Sequence, residues 1–399
     1  MTGAWSPLRH REFALLWGAA VVSNSGSWMH DLAAGWLMTT FDPSPAMVAL
    51  VPAATTLPVC LLALPAGTLA DVVDKRVLLI TVQVAMLLLA ALLGVSVLGG
   101  WAGKATLLAV TLALGTGTAI MSPTWQAIIP QLVPRAELHQ AVALHAVGIN
   151  ISRAVGPAVG GLVIVSLGIA WPFLINSLSF LAVVGALWWW RPLAQPHSSR
   201  PAEAFLAAMR TGVTHVPENV GLRNTLWRSV LFFGFASAYW ALLPLIARVQ
   251  LHGRANLFGT LVACIGAGAV AGAFILPRYR ARWGLDRVVS AGTLGTAVAM
   301  TAFATLRVPA LGMLAAALAG ASWIASLSSL NVAAQLSLPD WIRARGMGLY
   351  TAVFYGSLAL GSLLWGQVAT RLGVAATLLT AAIGAVVALL AARRLPLQR

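Results

Sequence analysis

The chain has 399 residues, of which 59% are hydrophobic and 9% charged, and its formal net charge is +15 at pH 7. A soluble domain is about half apolar and about a quarter charged, so a water-soluble globule is excluded. The bases do not gather into one polar patch, which argues against nucleic acid as a partner, and the two cysteines, Cys60 and Cys264, both lie in apolar segments, which argues against a disulfide framework or a zinc site.

A hydrocarbon core of about 30 Å is crossed by about 20 helical residues at about 1.5 Å each. Segments of that kind are expected at 13–40, 46–70, 77–98, 105–126, 139–167, 171–190, 224–249, 256–277, 287–306, 309–332, 343–370 and 374–392. Their hydrophobicity is continuous and does not alternate, which selects helices over barrel strands. Residues 1–11 are short and polar, and no small-residue cleavage site follows, so the first apolar stretch reads as a retained helix. The fold class expected is an all-α membrane protein with twelve transmembrane helices in two six-helix bundles.

Between the sixth and seventh spans, residues 191–223 carry Pro192, Pro196, Pro201 and Pro217 and a short amphipathic piece at 203–210. This reads as a linker between an N-terminal bundle, 1–190, and a C-terminal bundle, 224–399. The halves resemble one another. Leu64-Pro65 and Arg76-Val77 have counterparts in Leu276-Pro277 and Arg287-Val288, and Pro134, Gly156 and Gly161 match Pro339, Gly361 and Gly366 at one constant offset. Repeated halves around a site near the midplane are the usual build of secondary transporters. Bases such as Arg9, Lys75, Arg76, Arg135, Arg191, Arg278 and Arg393 crowd one set of loops, whereas Lys104, Arg248, Arg254, Arg307 and Arg371 occupy the other. By the positive-inside rule both termini and the linker are expected in the cytoplasm.

Taken along the chain, Asp31 is the only acid inside a span, about five residues to the outer side of the centre of span one. A carboxylate there costs on the order of 3 kcal/mol against lipid, so it should face a cavity or a partner. Asn24 and Ser27 precede it on the same helix face. It reads either as a proton carrier or as a hydrogen-bonded anchor. The loop Gly67-Thr-Leu-Ala-Asp71-Val-Val-Asp74-Lys75-Arg76 sets acids and bases between two spans, either as a gating latch or as positive-inside anchors. Arg153 falls at the centre of span five and stays charged at any pH, so it needs an acid, an anionic substrate or water. Asp31 is the acid available, in a pair that opens and closes or in a permanent tie. Gly156, Pro157, Gly160 and Gly161 permit close helix approach and bending. Tyr239, Trp240, Trp323, Asn331, Tyr350 and Tyr355 are candidates to line the cavity from the second half, where aromatics with a few polar atoms suit amphipathic cargo, or to serve as packing. Trp188-Trp189-Trp190 reads as an interfacial belt.

The 67–76 loop resembles the loop signature of the major facilitator superfamily, with Asp71 at its acid and Lys75 and Arg76 at its closing bases; Val72 departs from the arginine common there. The run from Ser122 through Pro134-Arg135, Glu137 and Leu144, followed by Asn150, Arg153 and Gly156-Pro157-Ala-Val-Gly160-Gly161, together with Gly26-Ser-Trp-Met-His-Asp31 and Gly35-Trp-Leu, is similar to the enterobactin-exporter-like branch. The resemblance implies twelve helices in two bundles, alternating access and export of a small organic compound; exchange for protons, by a monomer in a bacterial inner membrane, is the expected mode of transport. It also implies that the glycine-proline pattern of span five packs against the other half and limits leakage. Span four lacks the arginine that many proton antiporters of this superfamily carry. No nucleotide-binding loop, nucleophile elbow or metal-ligand spacing is present, so neither an enzyme nor a cofactor is expected. A facilitator or importer of a small solute and a lysolipid translocator are the alternatives.

Overall fold

A computed structural model describes residues 5–190, 219–339 and 343–397, leaving the side chains of 63, 64, 68, 70–72 and 343–345 outside the description. The first half holds α1 (Arg11–Phe41), α2 (Pro45–Val72), α3 (Lys75–Leu98), α4 (Lys104–Leu132), α5 (Leu138–Ser166) and α6 (Trp171–Trp189). The second holds α7 (Val220–Leu245), the segment Ala255–Thr305, then α10 (Pro309–Leu336), α11 (Arg343–Leu372) and α12 (Val374–Ala392). Ala255–Thr305 is 51 residues long and breaks at Gly284, where φ is 76° and ψ 171°. Only glycine enters that region without strain, so the segment is two helices, α8 (255–283) and α9 (285–305), and twelve result among the described residues.

Local chemistry places the ends. Proline stands in the first turn of α2, α6 and α10, where its missing N–H leaves no bond unmade. The Asp74 carboxylate accepts the Val77 amide at 3.0 Å and caps α3, and Asn219 accepts from Leu222 and caps α7. Gly373, at φ 80°, turns the chain between α11 and α12. The helices overrun several expected spans because they continue past the hydrocarbon: α4 reaches Leu132 through Pro123 and Pro130, and α8 passes Pro277. The amphipathic piece at 203–210 lies outside the described residues.

Ten segments are apolar and long enough to cross a membrane. Ala255–Thr305 counts once among them though it holds two crossings, and α1 is left out because Ser23, Asn24, Ser25, Ser27, His30 and Asp31 dilute its hydropathy. The first helix thus carries a run of polar residues within its span, and a chain in lipid places polar faces inward.

Within the first half α1 packs on α5 and α6, α2 on α4, and α3 on α6; in the second, α10 packs along α8 and α9, and α7 lies against α11 and α12. Most of the contact between the halves is made by α2 with α11 and α5 with α8, and α2 and α1 also meet α7. Residues 5 and 397 emerge at one end of the bundle, here the terminal end; the opposite end is the distal one. The buried apolar residues form two clusters, which divide the first half along this axis, while the second half belongs to one of them throughout its length, from Leu222 and Leu285 to Leu251. One includes Leu32 to Met38, Val48, Val51, Phe173, Phe233, Leu242, Phe258 and Ile265, and so spans both halves. The other, with Phe13, Leu16, Leu79, Trp125, Ile128 and Leu187, belongs to the first half alone, near the terminal end. The halves share a core distally and not at the other end, which is the form of a bundle open toward its termini.

Helix α8 crosses α10 backbone to backbone: Gly320 faces the Ile265 carbonyl and Gly268 faces that of Ala317 at contact distance. In lipid, where apolar side chains gain nothing by leaving their solvent, such close packing supplies much of the attraction between helices. Gly320→Ala is expected to destabilise the second half by about 1–3 kcal/mol through overpacking, read as a lower melting temperature of the purified protein; an unchanged melting temperature would show that this crossing yields freely.

Candidate functional site

The space between the halves is closed distally by small residues and one arginine. On α5, Gly161 approaches α8 so that a Cβ there would stand 3.0 Å from the Ala255 carbonyl oxygen, and a Cβ on Gly259 would stand 2.6 Å from that of Pro157. One and two turns deeper, Gly266 abuts Ala154. The second seam mirrors the first, with Gly366 of α11 against Ala49 and the Pro45 carbonyl, and Gly356 facing Cys60. The glycines of span five therefore divide in use. Gly161 and the Pro157 carbonyl meet the other half, while Gly156 packs on Ser25 and Trp28 and Gly160 on Met29 and Leu32, all on α1 of the same half.

Arg248 lies in the π-helical turn Ile246–Gln250 that follows α7. It donates to the Thr39 carbonyl at 2.7 Å and to the Thr39 hydroxyl at 2.8 Å, with its guanidinium 5.6 Å above the Trp36 ring. Trp36 stacks in turn on Phe258, and Gly35 lies against Pro244 and Phe258. Ala46 donates to the Thr370 hydroxyl at 3.1 Å. These hydrogen bonds, the ones that cross between the halves among the described residues, are all distal. Nearby, hydrogen bonds from Ser44 and Lys104 hold the Asp42 carboxyl down at about 2, and Lys104 pairs with it at 3.0 Å.

Asp31 sits one turn before Gly35 on the face of α1 that leads to this seal. It is exposed, and it makes no hydrogen bond or ion pair among the described residues. Because Gly35 on the same face touches α7 and α8, Asp31 faces the space between the halves and not lipid. Asn24 and Ser27 share that face and are half-buried; Ser27 returns its hydroxyl to the Ser23 carbonyl at 3.1 Å. His30, beside Asp31, points the other way, buried edge-on against Phe173 at 4.8 Å, with both ring nitrogens unpartnered.

Arg153 is the second charge at this depth, and it is not paired with Asp31. Its guanidinium lies 5.3 Å over the Trp28 ring, within electrostatic range of the Tyr239 and Tyr355 phenols. The expected ion pair is absent because Gly156 brings α5 against α1 at Ser25 and Trp28, so the arginine meets the indole a turn before the carboxylate.

From the second half, Tyr239 and Trp323 are buried in an aromatic stack with Trp240, Phe232, Phe233, Phe303 and Phe354, and Tyr350 is buried as well, so in this state the three pack the bundle and do not line open space. Trp240 and Tyr355 are half-buried. Asn331 bonds Gln335 at 2.7 Å along the surface of α10, and Asn150 returns its amide to the Ala146 carbonyl.

At the terminal end the 67–76 loop serves its own half. Arg76 donates from Nε to the Leu187 carbonyl at 2.7 Å and from Nη2 to that of Trp188 at 2.6 Å, tying α3 to the end of α6. Asp74 is spent as a cap, Lys75 is half-buried without a partner, Gly67 has open space around it, and the Asp71 side chain lies outside the described residues.

Sequence reasoning missed Arg248, Thr39, Trp36 and Phe258, together with Gly259 and Gly266. The clamp joins positions 209 apart in the chain, and no local pattern marks such a pair. Trp28 stood within the motif Gly26–Asp31 without a role.

Over residues 2–399 the sequence matches the transmembrane secretion effector family. It is 26% identical over 257 residues to the staphyloferrin A transporter of Staphylococcus aureus, covering 63% of this chain and 64% of that protein. It is 30% identical over 286 residues to the enterobactin exporter EntS of Salmonella typhimurium, covering 69% and 63%. The chain spans just under two thirds of the length of these curated relatives. Among solved structures, the nucleoside transporter NupG superposes with a TM-score of 0.79 at 13% identity over 97% of this chain and 99% of the other. A bacterial homolog of the human lysosomal transporter Spinster, inward-facing and occupied, gives 0.76 at 14% over 98% of both. At these identities the structural likeness establishes the fold.

If Arg248 holds the distal end shut, Arg248→Gln should lengthen the distance between spin labels at Pro43 and Leu372 in a measurable fraction of molecules. A distance distribution identical to that of the unmutated protein would remove Arg248 from this role.

Proposed function

The chain belongs to the transmembrane secretion effector family of the major facilitator superfamily, and from that premise we propose that it is a secondary active exporter, without enzymatic activity or cofactor, of a small amphipathic organic compound. The cargo is drug- or siderophore-like, moved outward by alternating access in exchange for protons. The two bundles, 1–190 and 224–399, rock against one another as a monomer in a bacterial inner membrane, with both termini and the linker in the cytoplasm. The excess of bases in the terminal-end loops supports that orientation, and the distal seal then makes this state the one that loads cargo from the cytoplasm. Relatives named for siderophore transport support the cargo class.

The observation that carries the reading is Asp31: an ionisable group at membrane depth, exposed between the halves, with no resident partner. Structural carboxylates in membranes are neutralised or bonded; one left free in a space that meets each compartment in turn takes up a proton on one side and yields it on the other. Its neighbours Asn24 and Ser27 and the half-buried Trp240 and Tyr355 supply the polar and aromatic contacts for cargo. The 67–76 loop acts as the inner gate, with Asp71 accepting bonds from helix N-terminal amides of the other half once the terminal end closes.

The measurement is efflux from proteoliposomes under an imposed pH gradient, using the compound that most stabilises the purified protein in a screen of siderophores, antibiotics, sugars and lysolipids. Asp31→Asn is expected to lower gradient-driven efflux at least tenfold while exchange down the cargo's own gradient persists. Gradient-driven efflux equal to that of the unmutated protein would refute Asp31 as the proton carrier.

A further inference from the structure

The one cation at mid-membrane has one resident acid that is able to neutralise it, and the fold keeps the two apart. Of the acids in the chain, Asp31 alone lies inside a span; Glu12, Asp42, Asp74, Glu137 and Asp286 sit at helix ends. No ion pair joins Asp31 to Arg153. Arg153 instead rests its guanidinium face on Trp28, a contact that orients the fork without discharging it. Its Nε is buried and unpartnered, and its terminal nitrogens make no hydrogen bond either yet are not buried. Two further donors lie on α7. The Tyr239 hydroxyl and the Trp240 indole N–H, whose rings stack 5.6 Å apart, make no hydrogen bond of ordinary geometry, and Tyr239 is within electrostatic range of the guanidinium. A fixed positive charge thus stands among aromatic faces at mid-membrane, and no acceptor among the described residues answers its terminal N–H groups.

We propose that Arg153 is an anion seat, and that the cargo is an organic acid: a carboxylate, sulfonate or similar oxyanion on an aromatic or apolar body that lies along Trp28. A planar fork matches the two oxygens of such a group. Between low-dielectric helix walls the charge is screened less than in bulk water, so it discriminates between an acid and its neutral isostere. Cargo charge and proton carriage are then divided between two residues, Arg153 for the anion and Asp31 for the proton. The inference takes the space between the halves as the cargo site, as in the proposed function, and does not require that transport be proton-driven.

The test is equilibrium binding to the purified full-length protein, without a gradient, of naphthalene-1-carboxylate, naphthalene-1-sulfonate and naphthalene-1-carboxamide. At least one of the two anions should bind at least tenfold more tightly than the amide. Arg153→Gln should abolish that preference while leaving weak binding of all three, Arg153→Lys should keep part of it, and Asp31→Asn should leave it intact or enlarge it. Equal affinity for acid and amide in the unmutated protein, or no binding of any probe up to millimolar concentrations, would overturn the proposal, whatever the variants do. Loss of the preference in Asp31→Asn as fully as in Arg153→Gln would also overturn it, because that is how a resident pair behaves. Preserved acid selectivity with gradient-independent efflux would sink the proton reading alone.

Discussion

Among the described residues none neutralises Asp31 or Arg153, and most of the architecture follows from having to house them. An ionised side chain facing acyl chains costs several kcal/mol, so α1 and α5 must both turn one face to a space between the halves. That requires the two helices to lie side by side with their backbones near contact. Gly156 and Gly160 permit it, each seating the α1 backbone or a side-chain root where a methyl would otherwise stand. The same approach brings Arg153 over Trp28 and away from the carboxylate. Close packing of α5 on α1 and the separation of the two charges are therefore one structural fact.

The distal seal is built for reversibility. Its seams are small residues in van der Waals contact, Gly161 with Gly259, Gly266 with Ala154, and Gly366 with Ala49. In lipid such backbone contacts lack the hydrophobic drive that would lock them in water, and parting the halves has to uncover the apolar side chains of the distal core they share. Arg248 adds direction. Its hydrogen bonds to Thr39 and its seat on Trp36 hold only when the distal ends meet, so the clamp favours one state of the bundle over the other. The first half keeps its own terminal-end core and ties α3 to α6 through Arg76, and in the second half Arg228 pairs with Asp286, which also accepts the Leu397 amide. Each half is thereby stiffened internally at the end where the halves are apart, as rigid bodies that rock must be.

Much of the site was legible as a list and not as a geometry. Asp31, Arg153 and the glycines of α5 stand out because charge and small residues are costly or purposeful in a membrane, whatever surrounds them. The pairing expected for Arg153 did not follow, since depth along the membrane normal says nothing about azimuth; a helix rotated by one residue moves a side chain by about 100° around its axis. Tyr239 and Trp323 look identical in sequence whether they line a cavity or fill a core, and packing assigned them to the core.

Residue order alone determined the twelve crossings, because each crossing is a local matter of length, hydropathy and the caps and breaks set by residues such as Asp74, Gly284 and Gly373. Tertiary structure alone decided which faces of those helices meet, and hence that Arg153 lies on Trp28, that Gly161 and Gly156 serve different partners, and that Arg248 reaches Thr39 across the halves. The reason is that these contacts join positions on helices far apart in the chain, where the choice among many apolar faces of nearly equal hydrophobicity rests on shape, and shape exists only once the helices have packed.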